Sequence, residues 1–277
     1  MGAMLGLLSA LCYGVSDFTA GVGGRRGDPT AVAAIAQSFG LLAAIVAVLA
    51  THPQAPSAAA LGWGTLSGVG SAVGILALYW GLSAGSMSVV APVSAVLTAA
   101  LPALVGLLLG ERLTPIALAG IALVVPALVL VPLQGGPQRG SRWVGAVSGL
   151  VAGGGFALLF VALARAGTRA GAYPLLPGQA LGVVLVALVV RWRRPSRAAW
   201  RAAAVLGAVT GVLGGSANLL YLAATGHGQL AVVAVLAALY PAFTVLLARV
   251  VLRERLGLLQ TVGLVVAAVA VVMIAVG

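Results

Sequence analysis

Apolar residues run along this chain in long blocks, and polar residues fall mostly into the short gaps between them. The blocks cover about residues 2–22, 30–50, 61–82, 89–109, 115–131, 143–164, 173–190, 202–224, 230–252 and 257–276. Each approaches the roughly 20 residues that a helix needs to cross the hydrocarbon of a bilayer. Most lack the polar face that a soluble surface helix would carry. The pattern predicts an all-α membrane protein with ten transmembrane helices.

The gaps carry their own signals. Asp28-Pro29 and Thr114-Pro115 each place a capping side chain before a proline at the first helical position, and Ser57 is placed to cap the third helix. The run Arg191-Trp192-Arg193-Arg194-Pro195-Ser196-Arg197 reads as a basic connection, and residues 132–140 form the longest stretch without apolar periodicity. Pro92 and Pro102 in the fourth block and Pro241 in the ninth are expected hinges or kinks. The first block has no basic start and leads straight into the second, so a retained helix is expected rather than a signal peptide.

Composition narrows the function. Only 7% of residues are charged, 62% are hydrophobic and the mean hydropathy is +1.17, whereas soluble domains carry about a quarter charged residues. The net charge of +11 comes from arginines grouped between the blocks, where positive charge sets membrane orientation, so no nucleic-acid partner is expected. The chain has no lysine, which excludes a P-loop, so ATP-driven pumping by this chain is not expected. A single cysteine, Cys12, excludes an internal disulfide. His52 and His227 fall in connections without further metal-ligating residues, and no nucleophile has a partnered base. Neither an enzyme nor a cofactor or metal is expected.

The chain also repeats itself. Shifted by 143 residues, Gly64 meets Gly207, Gly68 meets Gly211, and Glu111-Arg112-Leu113 meets Glu254-Arg255-Leu256. Upstream the register is about 140, where Gly14 meets Gly154 and Arg25 meets Arg165. This gives a first repeat over 1–133, a linker over 134–142 and a second repeat over 143–277. Five spans is an odd number, so the second copy enters the membrane in the opposite sense. Such inverted repeats place substrate near the midplane, often beside interrupted helices. Pro241 falls on Thr98, one turn before Pro102, so interruptions are expected at matching levels. Glycines four apart, as in Gly64/Gly68 and Gly207/Gly211, predict close helix contacts.

Two such copies, each with a proline-bearing fourth helix, a Glu-Arg-Leu turn and a glycine-containing final helix, resemble the EamA-domain branch of the drug/metabolite transporter superfamily. The resemblance spans nearly the whole chain. It is carried by Gly110-Glu111-Arg112-Leu113 with Gly120 and by Arg253-Glu254-Arg255-Leu256 with Gly263, where Arg253 replaces the usual glycine. It implies ten helices, a central cavity and secondary transport, commonly export of metabolites, amino acids or drugs, without fixing one substrate.

One residue stands out as candidate chemistry. Asp17 lies inside the first apolar block, where an ionisable group costs ~2.5 to 3.5 kcal/mol and by default serves a pathway. A carboxyl removed from water holds a proton more readily, which lets protonation compete with a cationic substrate. The competing structural reading has Asp17 accepting hydrogen bonds from Ser16 or Tyr13, or meeting water near the helix end. Tyr13 lies one turn earlier on the same face. Gln37, Ser71, Tyr79, Gln179, Asn218, Tyr221 and Tyr240 are the other polar groups at span depth, with Asn218 and Tyr221 three apart and projecting together. Each alone serves as readily in helix packing; together they form the expected lining of a mostly neutral cavity. Glu111 and Glu254 are expected to make loop hydrogen bonds or to pair with neighbouring arginines.

The expected function is a secondary active transporter or exporter of a small organic solute by alternating access, proton-coupled through Asp17. An uncoupled facilitator or exchanger is the alternative within transport, and a non-transporting membrane scaffold is the alternative outside it. The expected partners are a small-molecule substrate, the lipid bilayer and protons; monomer and homodimer both fit. The expected location is the bacterial inner membrane. Arginine bias favours both termini outside, because the even-numbered connections hold only Arg112, Arg165 and Arg169, whereas the family resemblance suggests both inside.

Overall fold

Long apolar blocks with satisfied ends have one way to bury their backbone polar groups in lipid, which is to coil. The computed structural model describes residues 1–84, 87–111, 113–130, 142–252 and 258–276, and no strand occurs among them. The helices are α1 (Gly2–Arg26), α2 (Pro29–Thr51), α3 (Ala58–Ala84), α4 (Met87–Leu108), α5 (Pro115–Leu130), α6 (Arg142–Ala166), α7 (Leu175–Arg193), α8 (Arg197–Thr225), α9 (Leu230–Ala237), α10 (Tyr240–Leu252) and α11 (Leu258–Val276). By length and composition α1, α2, α3, α6, α7 and α8 can each cross a membrane. The side chains of Tyr79, Pro92 and Pro241, together with Arg112, the linker residues 134–141 and the 253–257 turn with Glu254, lie outside the described residues.

The expected caps form. Asp28 Oδ1 accepts from the N–H groups of Thr30 at 2.7 Å and Ala31 at 3.3 Å, Ser57 Oγ from Ala60 at 3.1 Å, and Thr114 Oγ1 from Ala117 at 3.1 Å. An unexpected cap shortens the basic connection: Ser196 Oγ accepts from Ala199 N–H at 3.2 Å, so α8 already starts at Arg197. On the other side α7 continues to Arg193 and is closed by Arg194 at φ 50°. The glycines at 23 and 24 do not stop α1, which runs on to Arg26.

The proline expectations need correction. The ninth block breaks at Ala238 and Leu239, immediately before Tyr240-Pro241. Pro241 has no N–H to return to Ala237, and a residue preceding proline disfavours the helical region. The fourth block does not break in the same way: α4 is one helix through Pro92 and Pro102. At the level of Pro241 it carries Thr98, which keeps its N–H and also donates Oγ1–H to the Ser94 carbonyl at 2.8 Å. The interruption is therefore confined to one of the two helices.

Contacts at the helix ends define two faces. On one, Gly2 packs against His227 and Gly228, Gly171 against Pro53, and Gly64 against Pro174. We call this the N-terminal face. On the opposite face, Gly27 packs against Ala199 and Ala202 at the start of α8. Inside, α1 packs on α8, α3 on α6, α2 on both α7 and α8, and α5 on α11. The buried side chains are largely alanine, with a bulkier cluster of Leu159, Phe160, Leu163, Leu175, Tyr221 and Leu230 towards the N-terminal face. Large apolar side chains such as Leu49, Val205 and Leu258 point outward, as a lipid-facing surface requires.

Candidate functional site

Asp17 sits well inside α1, away from both of its ends. It faces a cavity of about 90 Å³ whose walls come from α1, α2, α3, α4, α6, α7, α8 and α10. The hydrogen bonds considered for Asp17 go elsewhere. Ser16 donates Oγ–H to the Thr210 carbonyl at 3.0 Å, and Tyr13 donates its hydroxyl to Asn218 Oδ1 at 2.5 Å. Among the described residues, Asp17 has neither a hydrogen-bond partner nor a counter-charge. The neighbours that would have made it a static packing residue are satisfied by other groups.

Aromatic rings enclose one side of this space. Tyr13 meets Phe160 at 5.8 Å and Tyr240 at 6.2 Å between centroids, and Tyr240 stands at the break between α9 and α10. Thr244, one turn further along α10, donates Oγ1–H to the Gly14 carbonyl at 3.1 Å, which ties the post-break helix to α1 beside Asp17. The described site thus pairs one carboxylate with π faces and neutral polar groups, a surface suited to a cation or an uncharged polar solute.

Of the residues expected at the site, Tyr13, Asp17, Gln37, Ser71, Gln179, Asn218 and Tyr240 all reach the cavity wall. Tyr221 does not. It is fully buried behind the wall and stacks on Phe160 at 4.4 Å, because it lies one turn beyond Asn218, towards the N-terminal face. The Tyr79 side chain lies outside the described residues. Phe156, Phe160, Thr98 and Thr210 also line the cavity.

Two glutamines are arranged reciprocally, a pairing not expected from the sequence. The amide of Gln179 lies on Gly40, and the amide of Gln37 lies on Gly182, so each side chain fills the space a Cβ would take on the facing helix. Gln37 with Gly40 and Gln179 with Gly182 are the same Gln-x-x-Gly spacing, 142 residues apart. That spacing is the signal from which the pair is legible. Gln37 is 5% exposed, and its Nε2 has no hydrogen-bond partner. A buried donor left unmatched at a cavity wall is the natural position for a ligand or water acceptor.

Glu111 works outside the cavity. Its two carboxylate oxygens accept from Leu230 N–H at 2.6 Å and Ala231 N–H at 2.8 Å, the exposed donors of the first turn of α9. The expected alternatives of loop hydrogen bonding and arginine pairing resolve in favour of backbone capping, across 119 and 120 residues.

No curated protein matches the sequence. A solved structure titled "Crystal structure of protein" is similar, with a TM-score of 0.78 at 17% identity over 99% of this chain and 96% of the other, which shows a shared fold. Residues 1–133 and 143–276 each match the EamA-like transporter family. With both parts of the chain matched, this multi-pass membrane protein belongs to the EamA-like transporter family.

Proposed function

We propose that this protein is a secondary active transporter that exports a small organic solute by alternating access, with Asp17 exchanging a proton for the solute's cationic or polar group. The observation that carries the reading is an intramembrane carboxylate without a partner among the described residues, facing a cavity among eight helices. Placing such a charge in hydrocarbon is costly, and nothing described offsets the cost internally. The unmatched Gln37 amide offers the solute a donor contact in the same cavity. A scaffold without transport would favour a filled centre, and the cavity counts against that.

The reading takes α9 and α10 as one interrupted span, which makes ten spans in two halves of five, at 1–133 and 143–277, inserted in opposite directions. Helix pairing supports it, because exchanging the halves maps α1–α8 onto α6–α3 and α2–α8 onto α7–α3, all of which are packed pairs. The start of α1 lies at the N-terminal face, as does the end of α6, where Arg165 stands 5.6 Å over the Trp63 ring near the start of α3. Arginine bias assigns the opposite face, with Arg26, Arg193 and Arg194, to the cytoplasm of a bacterial inner membrane.

Asp17→Asn keeps the shape of the side chain and removes its titration. In proteoliposomes loaded with an amine solute, wild-type efflux should accelerate under a proton gradient directed inward, and the variant should lose that acceleration. Efflux and pH dependence equal to wild type would remove Asp17 from the mechanism. Gradient-independent exchange that survives the substitution would favour the uncoupled facilitator.

A further inference from the structure

Beside the main cavity, and sharing Ser71, Leu159, Gln179 and Asn218 with its wall, lies a second, much smaller void of about 10 Å³ that is also lined by Ser67, Gly68, Leu175 and Gly178. A volume of that size holds about one water, which here would find hydroxyl and amide partners. Repeat positions relate the void to the cavity. Ser67, Gly68 and Ser71 correspond to Thr210, Gly211 and Gly214 at the 143-residue offset, while Leu175, Gly178 and Gln179 correspond to Ala33, Ala36 and Gln37 at 142. Asn218 corresponds to Ile75. Each of these counterparts lines the main cavity. Only Leu159, whose counterpart at 140 is Thr19, has no mate on that wall.

The two spaces lie towards different ends of the bundle. Gly68 and Gly178 follow, by one turn each, the Gly64–Pro174 contact at the N-terminal face. Ala33 and Ala36 belong to the first turns of α2, and Gly27, just before α2, marks the opposite face. What differs between them is bulk. Where the cavity arm has Ala33, the void has Leu175; Leu159, whose counterpart Thr19 stays off the cavity wall, lines both spaces, and both leucines are buried in the cluster towards the N-terminal face.

We propose that this void is a latent solute site, the N-terminal-face copy of the cavity arm, closed by the Leu159 and Leu175 side chains. When the protein opens to the N-terminal face, Ser67 joins Ser71 and Gln179, which line both spaces, in contacting the polar solute that Thr210 and Gln37 contact in the arm now formed. The inference rests on the transport reading above and adds where the exit lies and what shuts it.

The test uses full-length protein in sealed vesicles, on a Cys12→Ala background, with a small membrane-impermeant methanethiosulfonate offered to one face at a time. Ser67→Cys should react only from the N-terminal face, and Thr210→Cys only from the opposite face. Adding Leu175→Ala, or separately Leu159→Ala, removes closing bulk and should raise the Ser67→Cys reaction rate at least about tenfold. Ser67→Cys that stays unreactive from both faces in either leucine variant overturns the proposal, as does reaction from the same face as Thr210→Cys. Solute flux in the same vesicles separates the two readings: flux with Ser67→Cys inert rejects this exit alone, and directional labelling without flux rejects transport alone.

Discussion

At the scale of residues, the cavity is built from hydrogen bonds directed away from Asp17. Tyr13→Phe deletes the donor to Asn218 and leaves a buried amide oxygen unmatched, at a cost of ~1–3 kcal/mol. The purified variant should melt several degrees lower in detergent, while its ring still packs on Phe160 and Tyr240. An unchanged melting temperature would mean that the hydroxyl bond contributes nothing to the fold. The place of Asp17 at the cavity wall could be anticipated from sequence because a lone charge inside an apolar block is costly to leave facing lipid. The Gln37 and Gln179 pair was missed, because its signal, a shared Gln-x-x-Gly at an offset of 142, falls between the registers of 140 and 143 that the landmark residues set. Tyr221 misled for a physical reason: three residues along a helix share a face but differ in depth, and depth decides whether a ring meets the cavity or the packing cluster.

At the scale of elements, the short α9 depends on a side chain from the other half of the chain. Glu111→Ala should free the first amides of α9, costing about 1–2 kcal/mol, and Glu111→Gln should cost less because it retains an acceptor. Hydrogen exchange at Leu230 and Ala231 reads this directly, and exchange equal to wild type in the alanine variant would reject the cap. Close helix approach gives a second prediction. A Cβ at Gly68 would overlap the Gly178 carbonyl, and one at Gly211 the Ala36 carbonyl, while Gly21 and Gly62 have nothing within 4 Å. Gly68→Ala and Gly211→Ala should abolish folded protein by size-exclusion chromatography, whereas Gly21→Ala and Gly62→Ala should be neutral or stabilising by up to ~1 kcal/mol. Comparable yields from all four would show that the helices can part at little cost. Helix positions and three caps could be read from apolar blocks and capping dipeptides. The break in the ninth block could not be placed, because proline marks a weakness without saying whether the helix runs through it, as α4 does at Pro102.

At the scale of the molecule, the equivalent contacts made by α1 with α8 and by α6 with α3 give both halves the same joint. The proposed transport depends on exchanging the two arrangements between such halves. The all-helical membrane class was readable from hydropathy alone, since block length and the backbone's need for internal hydrogen bonds leave few choices. The cavity was not, because its walls come from eight helices whose relative rotation depends on glycine contacts far apart in sequence. The most direct measurement is the distance between spin labels placed on each face, with Ala58→Cys and Arg169→Cys as one pair and Thr30→Cys and Arg201→Cys as the other, recorded in liposomes as pH is varied. The account predicts two distances for each pair, with the long population at one face rising as the long population at the other falls. A single fixed distance at both faces, or both pairs lengthening together, would contradict it.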